Sequence, residues 1–475
     1  MDTFTISKNL NKNKVFILQK SELDKRLDPF FYIPELLELE TKVLAKKPKK
    51  LRDYVVNIAS GATPKRAEEE KYYSDKENGI PFLRVQNLSQ TGALSLDNTK
   101  FINNETHNGM LKRSQVSEGD LLVKITGVGR MAVASVAPKN FIGNINQHVC
   151  VIKTKSKKVS ETLASFLNSD IGEKLASRRS TGGTRPALDY PALLSIPIIE
   201  DERILQLKKE LVKQKTTNEQ KAEKLLASID AYLLKELGVE LPEKQENTLE
   251  SRMFIRSIKD ISGSRFDPFY NNDNFKSFFN SLQNSIYSFK NFKTISNISS
   301  GAIINTSKYL KEGIPLIRIQ NVLSNGIDFT KTKYISIETY NKQFPSQIKS
   351  GELLFGMSGT IGRVAIAQNN LPKCLLNQRI AKVYVNDESN NIYIQSVLNS
   401  PIGIKQFSRI GTGGIQINIG ISDIENLKIP LPPKEKQDEI ANHITAIRNQ
   451  AQVLKEKTKA LILKSNKEIE DILLN

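Results

Sequence analysis

The sequence predicts an α+β protein. Two duplicated domains, each a twisted, partly barrel-like β-sheet with helices, are separated by an antiparallel two-helix coiled-coil spacer in a pseudo-twofold layout. Three observations predict this. Motifs of the first half recur in the same order in the second. Each half closes on a long stretch without Pro or Gly whose apolar residues fall in heptads. Of the net charge of +18 over 475 residues, the globular parts hold +8 and +10.

The duplication is direct. Arg26-Leu27-Asp28-Pro29-Phe30 recurs as Arg265-Phe266-Asp267-Pro268-Phe269. Ile58-Ala59-Ser60-Gly61-Ala62 recurs as Ile298-Ser299-Ser300-Gly301-Ala302. Gly79-Ile80-Pro81 leads to Arg84-Val85-Gln86-Asn87, as Gly313-Ile314-Pro315 leads to Arg318-Ile319-Gln320-Asn321. Gly119-Asp120-Leu121-Leu122, Gly129-Arg130, Asn146-Gln147 and Thr181-Gly182-Gly183 match Gly351-Glu352-Leu353-Leu354, Gly362-Arg363, Asn377-Gln378 and Thr412-Gly413-Gly414. The offset shrinks from 239 residues at Arg26/Arg265 to 231 at Thr181/Thr412. The resulting division is a first domain over 1–201, a helix over 202–237, a linker over 238–250, a second domain over 251–433 and a second helix over 434–475.

Within the domains, short β-rich apolar runs at 80–85, 121–125, 133–136, 314–319, 353–355 and 364–367 predict strands separated by Gly-containing turns. Helices are expected over 34–44, 161–177 and 392–407. On the first long helix, Ile204-Leu205, Leu211-Val212, Leu225-Leu226 and Tyr232-Leu233 are apolar pairs at heptad positions, and Asn218-Glu219 is a polar break. Gly238 and Pro242 stop it. On the second, Ile440, Ile447, Leu454 and Leu461 form one column, and Ile444, Ala451, Thr458 and Ile472 contribute to the other, which Ser465 interrupts. A narrow apolar stripe on a helix of about 50–60 Å calls for a partner helix. The expected seam sets Ile204, Leu211, Leu225 and Tyr232 against Ile440, Ile447, Leu454 and Leu461, with one domain at each end of the rod.

The charge points to a polyanionic partner, and nucleic acid is the first reading. A Lys-rich surface in general would have loaded the exposed helices too, yet these carry only +2 and +1, and the linker carries −3. No apolar stretch approaches the ~20 residues of a spanning helix, and Met1–Leu10 lacks the layout of a signal peptide. Cys150 and Cys374 cannot make a disulfide framework and fit reduced residues in a cytoplasmic protein. His148 and Cys150 share a strand face without a second ligand pair, so no metal site is expected.

Catalytic constellations are missing too. The sequence contains no phosphate-binding Gly-x-x-x-x-Gly-Lys-Ser/Thr loop. Gly127-Val128-Gly129-Arg130-Met131-Ala132 fits a loose dinucleotide fingerprint, but a strand follows it where a helix is required. Asp28-Pro29-Phe30-Phe31 lacks the second proline of a base-flipping methyltransferase motif and reads as a cap or packing element. Glu219-Gln220-Lys221 lies in a helix without the strand context of a nuclease. A non-catalytic DNA-binding protein is therefore the leading expectation. The alternatives are a stand-alone nuclease or DNA methyltransferase, and a scaffold that binds RNA or protein.

Base reading needs Arg for guanine and Asn or Gln for adenine, with Lys and Arg on phosphates. Such residues recur at matching places. The first copy offers Lys65, Arg66, Arg84, Gln86, Asn87, Lys124, Thr126, Arg130, Asn146, Gln147, His148, Thr184 and Arg185. The second offers Arg318, Gln320, Asn321, Ser358, Thr360, Arg363, Asn377, Gln378, Arg379, Gln416 and Asn418. Where the copies differ, as at Arg185/Gln416 and His148/Arg379, they would read different bases.

Together these residues resemble the DNA-specificity subunit of Type I restriction–modification systems. The matching elements are Lys50-Leu51-Arg52-Asp53, Ile58 through Pro64, Gly79-Ile80-Pro81-Phe82, Val85-Gln86-Asn87-Leu88, Gly119-Asp120-Leu121-Leu122 and Asn146-Gln147. Ile429-Pro430-Leu431-Pro432-Pro433-Lys434-Glu435-Lys436-Gln437 is similar to the family's entry into its conserved helix. The resemblance implies two target-recognition domains, each reading half of a split duplex-DNA site. It also implies helices that dock two methyltransferase subunits, with restriction/translocase subunits as further partners. S-adenosylmethionine would be bound by the methyltransferase subunit and no cofactor by this chain. The departures are the absence of Trp, Ile303-Ile304 in place of Thr63-Pro64, and the extra segment before Lys50. They point to an unusual subfamily, including systems that fuse methylation and cleavage in the partner.

Overall fold

The computed structural model describes residues 9–24, 26–65, 68–243, 248–262, 265–359, 362–411 and 418–474. The chain divides into two compact units, residues 1–219 with 455–475, and residues 220–454. Each gathers one duplicated domain and a part of both long helices.

In the first unit the apolar runs become strands of an antiparallel sheet in the order Asn57–Ser60, Val149–Lys153, Leu121–Lys124, Ala134–Val136. Alternation along these strands decides which layer each residue joins. Leu121, Val123, Cys150 and Ile152 meet Leu163, Phe166, Ile171 and Leu175 of two covering helices. Leu122, Val149 and Val151 meet Leu83, Val116 and Ile145 of a second sheet. That sheet runs Tyr73–Ser74, Lys100–Ile102, Ile80–Leu83, Ile142–Ile145, Gln115–Ser117, with a parallel step between Ile80–Leu83 and Ile142–Ile145. The central strands are covered on both faces, which explains their continuous apolar runs. Each fully buried Leu, Val or Ile there contributes about 1.5–3 kcal/mol.

The helix expected over 161–177 is two helices, Lys157–Leu167 and Asp170–Arg179. Ser169 caps the second, its Oγ accepting from Gly172 N at 3.0 Å. Gly172 is required at this corner, because a Cβ there would fall 2.2 Å from Phe166 O. The second unit repeats the break. Asn391–Asn399 and Pro401–Ile410 replace the single helix expected over 392–407. Pro401 follows the Ser400 cap, and a Cβ on Gly403 would fall 2.1 Å from Leu398 O.

The second unit otherwise follows the same plan. Its antiparallel sheet runs Ser296–Ser300, Ile380–Val385, Leu353–Gly356, Val364–Ile366. Leu353, Phe355, Ala381 and Val383 pack with Tyr393, Ile394 and Val397 of its helices. The opposite layer is a smaller sheet, Lys333–Ile335, Ile314–Ile317, Leu375–Leu376, again with a parallel step. Both units are thus α+β, and the sheets are open rather than closed barrels.

The long helices span Glu202–Leu237 and Lys434–Leu474 and run antiparallel within each unit. In the first unit, Ile204 shares a core with Ile469 and Leu473, while Asn218 Nδ2 donates to Thr458 Oγ1 at 3.2 Å. Leu211 and Leu461 are half-buried, and Ser465 Oγ is buried without a partner among the described residues. In the second unit, Ile440 and Ile447 are buried, Leu225 and Leu454 are half-buried, and Tyr232 stacks on His443 with ring centroids 4.0 Å apart. The stripe departs from the adjacent pairs at Leu226, while Leu205 and Leu233 of the other pairs are buried. Leu226 is exposed, whereas Ala222 and Ile229, spaced by three or four from Leu225 and Tyr232, and Leu237, four beyond Leu233, are buried. Among the described residues, no helix is long and apolar enough to cross a membrane.

Candidate nucleic-acid interface

Several strand ends of the first unit meet in one place. Ile80–Leu83 and Ile142–Ile145 run parallel, and Asn146 N donates to Leu83 O at 3.0 Å. The turn over 146–148 then enters Val149–Lys153, and Ile125 N donates to His148 O at 3.0 Å. The glycine turn after Leu121–Lys124 needs left-handed backbone at Gly127 and Gly129. It is bonded to the Gly-Gly loop over 181–187: Gly127 N donates to Pro186 O at 3.0 Å, and Thr126 bridges Ala187. Gly61 approaches so closely that a Cβ would fall 1.7 Å from Ile145 O, and Thr63 is hydrogen-bonded to Gln147. Four chain segments remote in sequence therefore form one loop cluster.

Within and beside this cluster the candidates separate into two kinds. Lys65, Gln86, Gln147, Thr184 and Arg185 are exposed, and Thr126 and His148 are half-buried. The others serve the domain itself. Asn87 is fully buried, accepting from Arg84 N at 2.9 Å and donating to Ser95 O at 2.9 Å and Thr99 Oγ1 at 3.1 Å. It cannot offer an edge to a base without unfolding its turn. Arg84 donates to Asn98 O at 2.9 Å. Lys124 is 4% exposed; its Nζ donates to Val128 O at 2.7 Å and Arg130 O at 2.9 Å, and burial lowers its pKa. Arg130 pairs with Asp170 at 2.7 Å and donates to Ser169 O at 2.9 Å. Asn146 is buried and accepts from His148 N at 3.2 Å. Lys124, Arg130 and Asn146 shape the loops from beneath, which corrects the expectation that they face DNA. Arg66 lies outside the described residues.

The second unit brings the same segments together. Asn377 N donates to Ile317 O at 3.0 Å, Met357 N to Arg379 O at 3.0 Å and Ile419 N to Met357 O at 2.9 Å. Ser358 bridges Asn418. Gln320, Arg363, Arg379 and Asn418 are exposed, and Asn377 and Gln378 are half-buried. Asn321 repeats the burial of Asn87, accepting from Arg318 N at 3.0 Å and donating to Asp328 O at 2.7 Å. Arg318 donates to Lys331 O at 3.2 Å, and Ser358 is buried, so these two and Asn321 are structural as well. Thr360 and Gln416 lie outside the described residues.

One residue escaped the sequence reading. Val128 is 77% exposed at the tip of the glycine turn. An apolar side chain flanked by glycines was the available signal. Elsewhere, burial pushes the thiols of Cys150 and Cys374 up to about 12, which leaves them inert. Among the described residues, no group of three or more His, Cys, Asp or Glu could hold a metal ion.

Residues 284–464 match the family model of the Type I restriction modification DNA specificity domain. Among curated proteins, the chain is similar to the Type I restriction enzyme MjaVIII specificity subunit of Methanocaldococcus jannaschii. The two are 25% identical over 187 residues, 38% of this chain and 44% of that protein. It is also similar to the Type I restriction enzyme EcoBI specificity subunit of Escherichia coli, 20% identical over 409 residues, 82% of this chain and 77% of that protein. The match thus spans less than half the length of the first relative and more than three quarters of the second. A solved Type-I restriction-modification system S subunit from M. genitalium aligns over 90% of this chain and 94% of its own, at 11% identity and a TM-score of 0.41. The second half is thus similar to the Type I restriction modification DNA specificity domain, and the chain as a whole resembles the specificity subunits of Type I restriction–modification systems.

Proposed function

We propose that the chain is the non-catalytic DNA-recognition subunit of a Type I restriction–modification complex in the cytoplasm, with each domain reading one half of a bipartite duplex site. The observation that carries this reading is the repeated loop cluster. In both domains the same strand ends present exposed polar and basic side chains, Gln147, Thr184 and Arg185 in one and Arg363, Arg379 and Asn418 in the other. The +8 and +10 charges of the two domains supply the phosphate attraction that positions such readers. The long helices are then the docking surface for two methyltransferase subunits, which bring the S-adenosylmethionine chemistry, and for restriction/translocase subunits.

Competition binding by the full chain tests this. A labelled duplex pool should be displaced by duplex DNA at least tenfold better than by structured RNA, with affinity falling steeply as salt rises. Equal displacement by RNA would favour the scaffold reading. Methyl transfer or cleavage by the purified chain alone, given S-adenosylmethionine and DNA, would overturn the non-catalytic one.

A further inference from the structure

The Arg-x-Asp-Pro-Phe repeat is not absorbed by the loop cluster, yet it grips the stem of one of its loops. Helix Asp170–Arg179 ends where the Gly-Gly loop begins, so its last carbonyls lack helical partners. Arg26 supplies them: Nη1 donates to Arg179 O at 2.9 Å and Nη2 to Ser180 O at 2.8 Å. Its Nε donates to Asp28 Oδ2 at 2.8 Å, so every edge of the guanidinium fork is used. Asp28 Oδ1 also accepts from Phe31 N at 3.2 Å. The Phe31 ring centroid lies 4.6 Å from the Arg26 guanidinium and 3.9 Å from that of Arg178, and Arg178 Nε donates to Phe31 O at 2.9 Å.

The second unit rebuilds this clasp. Arg265 donates to Asp267 Oδ2 and Ile410 O, each at 2.8 Å. The Tyr270 ring centroid lies 5.0 Å from the Arg265 guanidinium and 3.9 Å from that of Arg409, and Arg409 Nε donates to Tyr270 O at 3.0 Å. The ring and the second arginine are separated by 147 residues in one copy and 139 in the other, yet the second arginine makes the same ring contact and the same hydrogen bond to the carbonyl of the ring residue. The loop's stem is closed by Thr181 N to Ala187 O at 2.9 Å and Ala187 N to Thr181 O at 2.8 Å, and residues 182–185 are exposed beyond it. The tip is thus placed by its stem, and the stem is held by the clasp.

We propose that Arg26, Phe31 and Arg178 are positioning residues that set Thr184 and Arg185 for base reading, so that the clasp fixes the half-site accepted by the first domain. This rests on the proposed DNA-reading function. A hydrogen bond to a base edge tolerates only a few tenths of an ångström, so a loosened stem should relax specificity before it unfolds the domain.

The test is adenine-methylome sequencing of cells expressing the full chain with its native partners, wild type or variant, beside melting curves of each purified chain. Arg26→Gln and Phe31→Leu should spread methylation at least tenfold into sites altered in the first half, with the second half kept and the chain still melting well above the growth temperature of the cells. Phe31→Tyr, which installs the ring of the second copy, should behave as wild type, and Arg265→Gln should relax only the second half. If Arg26→Gln does not fold, Arg26→Lys, which keeps the charge and loses the fork, should give the same first-half relaxation. Folded Arg26 and Phe31 variants with wild-type selectivity, or with equal loss at both halves, overturn the clasp alone. A wild-type chain that directs no two-part methylation pattern overturns the functional reading, and the clasp's role with it.

Discussion

Arg130 donates to the Asp170 carboxylate at 2.7 Å, whereas the second copy has Pro401 at the place of Asp170 and its Arg363 is exposed. One substitution at a helix start thus decides whether the glycine-turn arginine serves the fold or faces outward. Arg130→Ala should destabilise the first unit by about 1 kcal/mol and leave the bases accepted unchanged. Arg363→Ala should leave the melting curve in place and weaken DNA binding. Parallel melting and anisotropy measurements separate the two, and a reversed pattern would contradict the assignment.

Asn87 and Asn321 are buried and bonded on both edges of their amides. Asn87→Ala removes the partner of buried backbone groups and should cost about 1–3 kcal/mol. A specificity change without a stability loss would return Asn87 to the candidate readers. Arg185→Ala should do the opposite, weakening binding of the first half-site by about 1–3 kcal/mol with unchanged stability. Equal weakening on all sequences would mean that Arg185 touches phosphate.

Lys208 on the first long helix is only 9% exposed, and burial, reinforced by the nearby Arg130 charge, lowers its pKa below 10.5. Below that lowered pKa it is charged in both folded and unfolded chains, and its burial costs stability. Between the lowered value and 10.5 the unfolded chain binds more protons, so stability rises with pH. Lys208→Met should therefore stabilise the first unit at pH 7 by about 1 kcal/mol and remove that rise. Melting curves from pH 7 to 10.5 read both effects, and a variant less stable than wild type at pH 7 would contradict them.

In the second unit, Leu225 packs at the edge of the core that holds Ile440 and Ile444. Leu225→Asp together with Leu454→Asp would bury charge in the helix seam, at a cost of several kcal/mol. The melting temperature should fall accordingly, and an unchanged curve would mean that the helices are held by something other than this seam.

The layers and long helices were legible because burial on both faces writes continuous apolar runs, and heptad spacing survives over a helix of this length. The break between the paired helices was not read, because apolar periodicity continues through Asn168-Ser169, although the Ser169 cap and the Ser400-Pro401 pair of the second copy mark the new helix start. The candidate readers were legible by residue type and repetition. Their orientation was not. Arg84 and Gln86 differ only in which side of a short turn they occupy, and the fate of Arg130 depends on Asp170, 40 residues away. The gathering of the turn over 146–148, the glycine turn and the Gly-Gly loop depends on backbone bonds such as Gly127 to Pro186, which no local pattern encodes.

The most direct test of two-domain DNA reading is the adenine methylome of cells with and without this chain, its partner subunits unchanged. One bipartite, asymmetric adenine-methylation motif should disappear with the chain and return when it is restored. An identical methylome in both strains, or loss of a continuous motif without two separated halves, would contradict it.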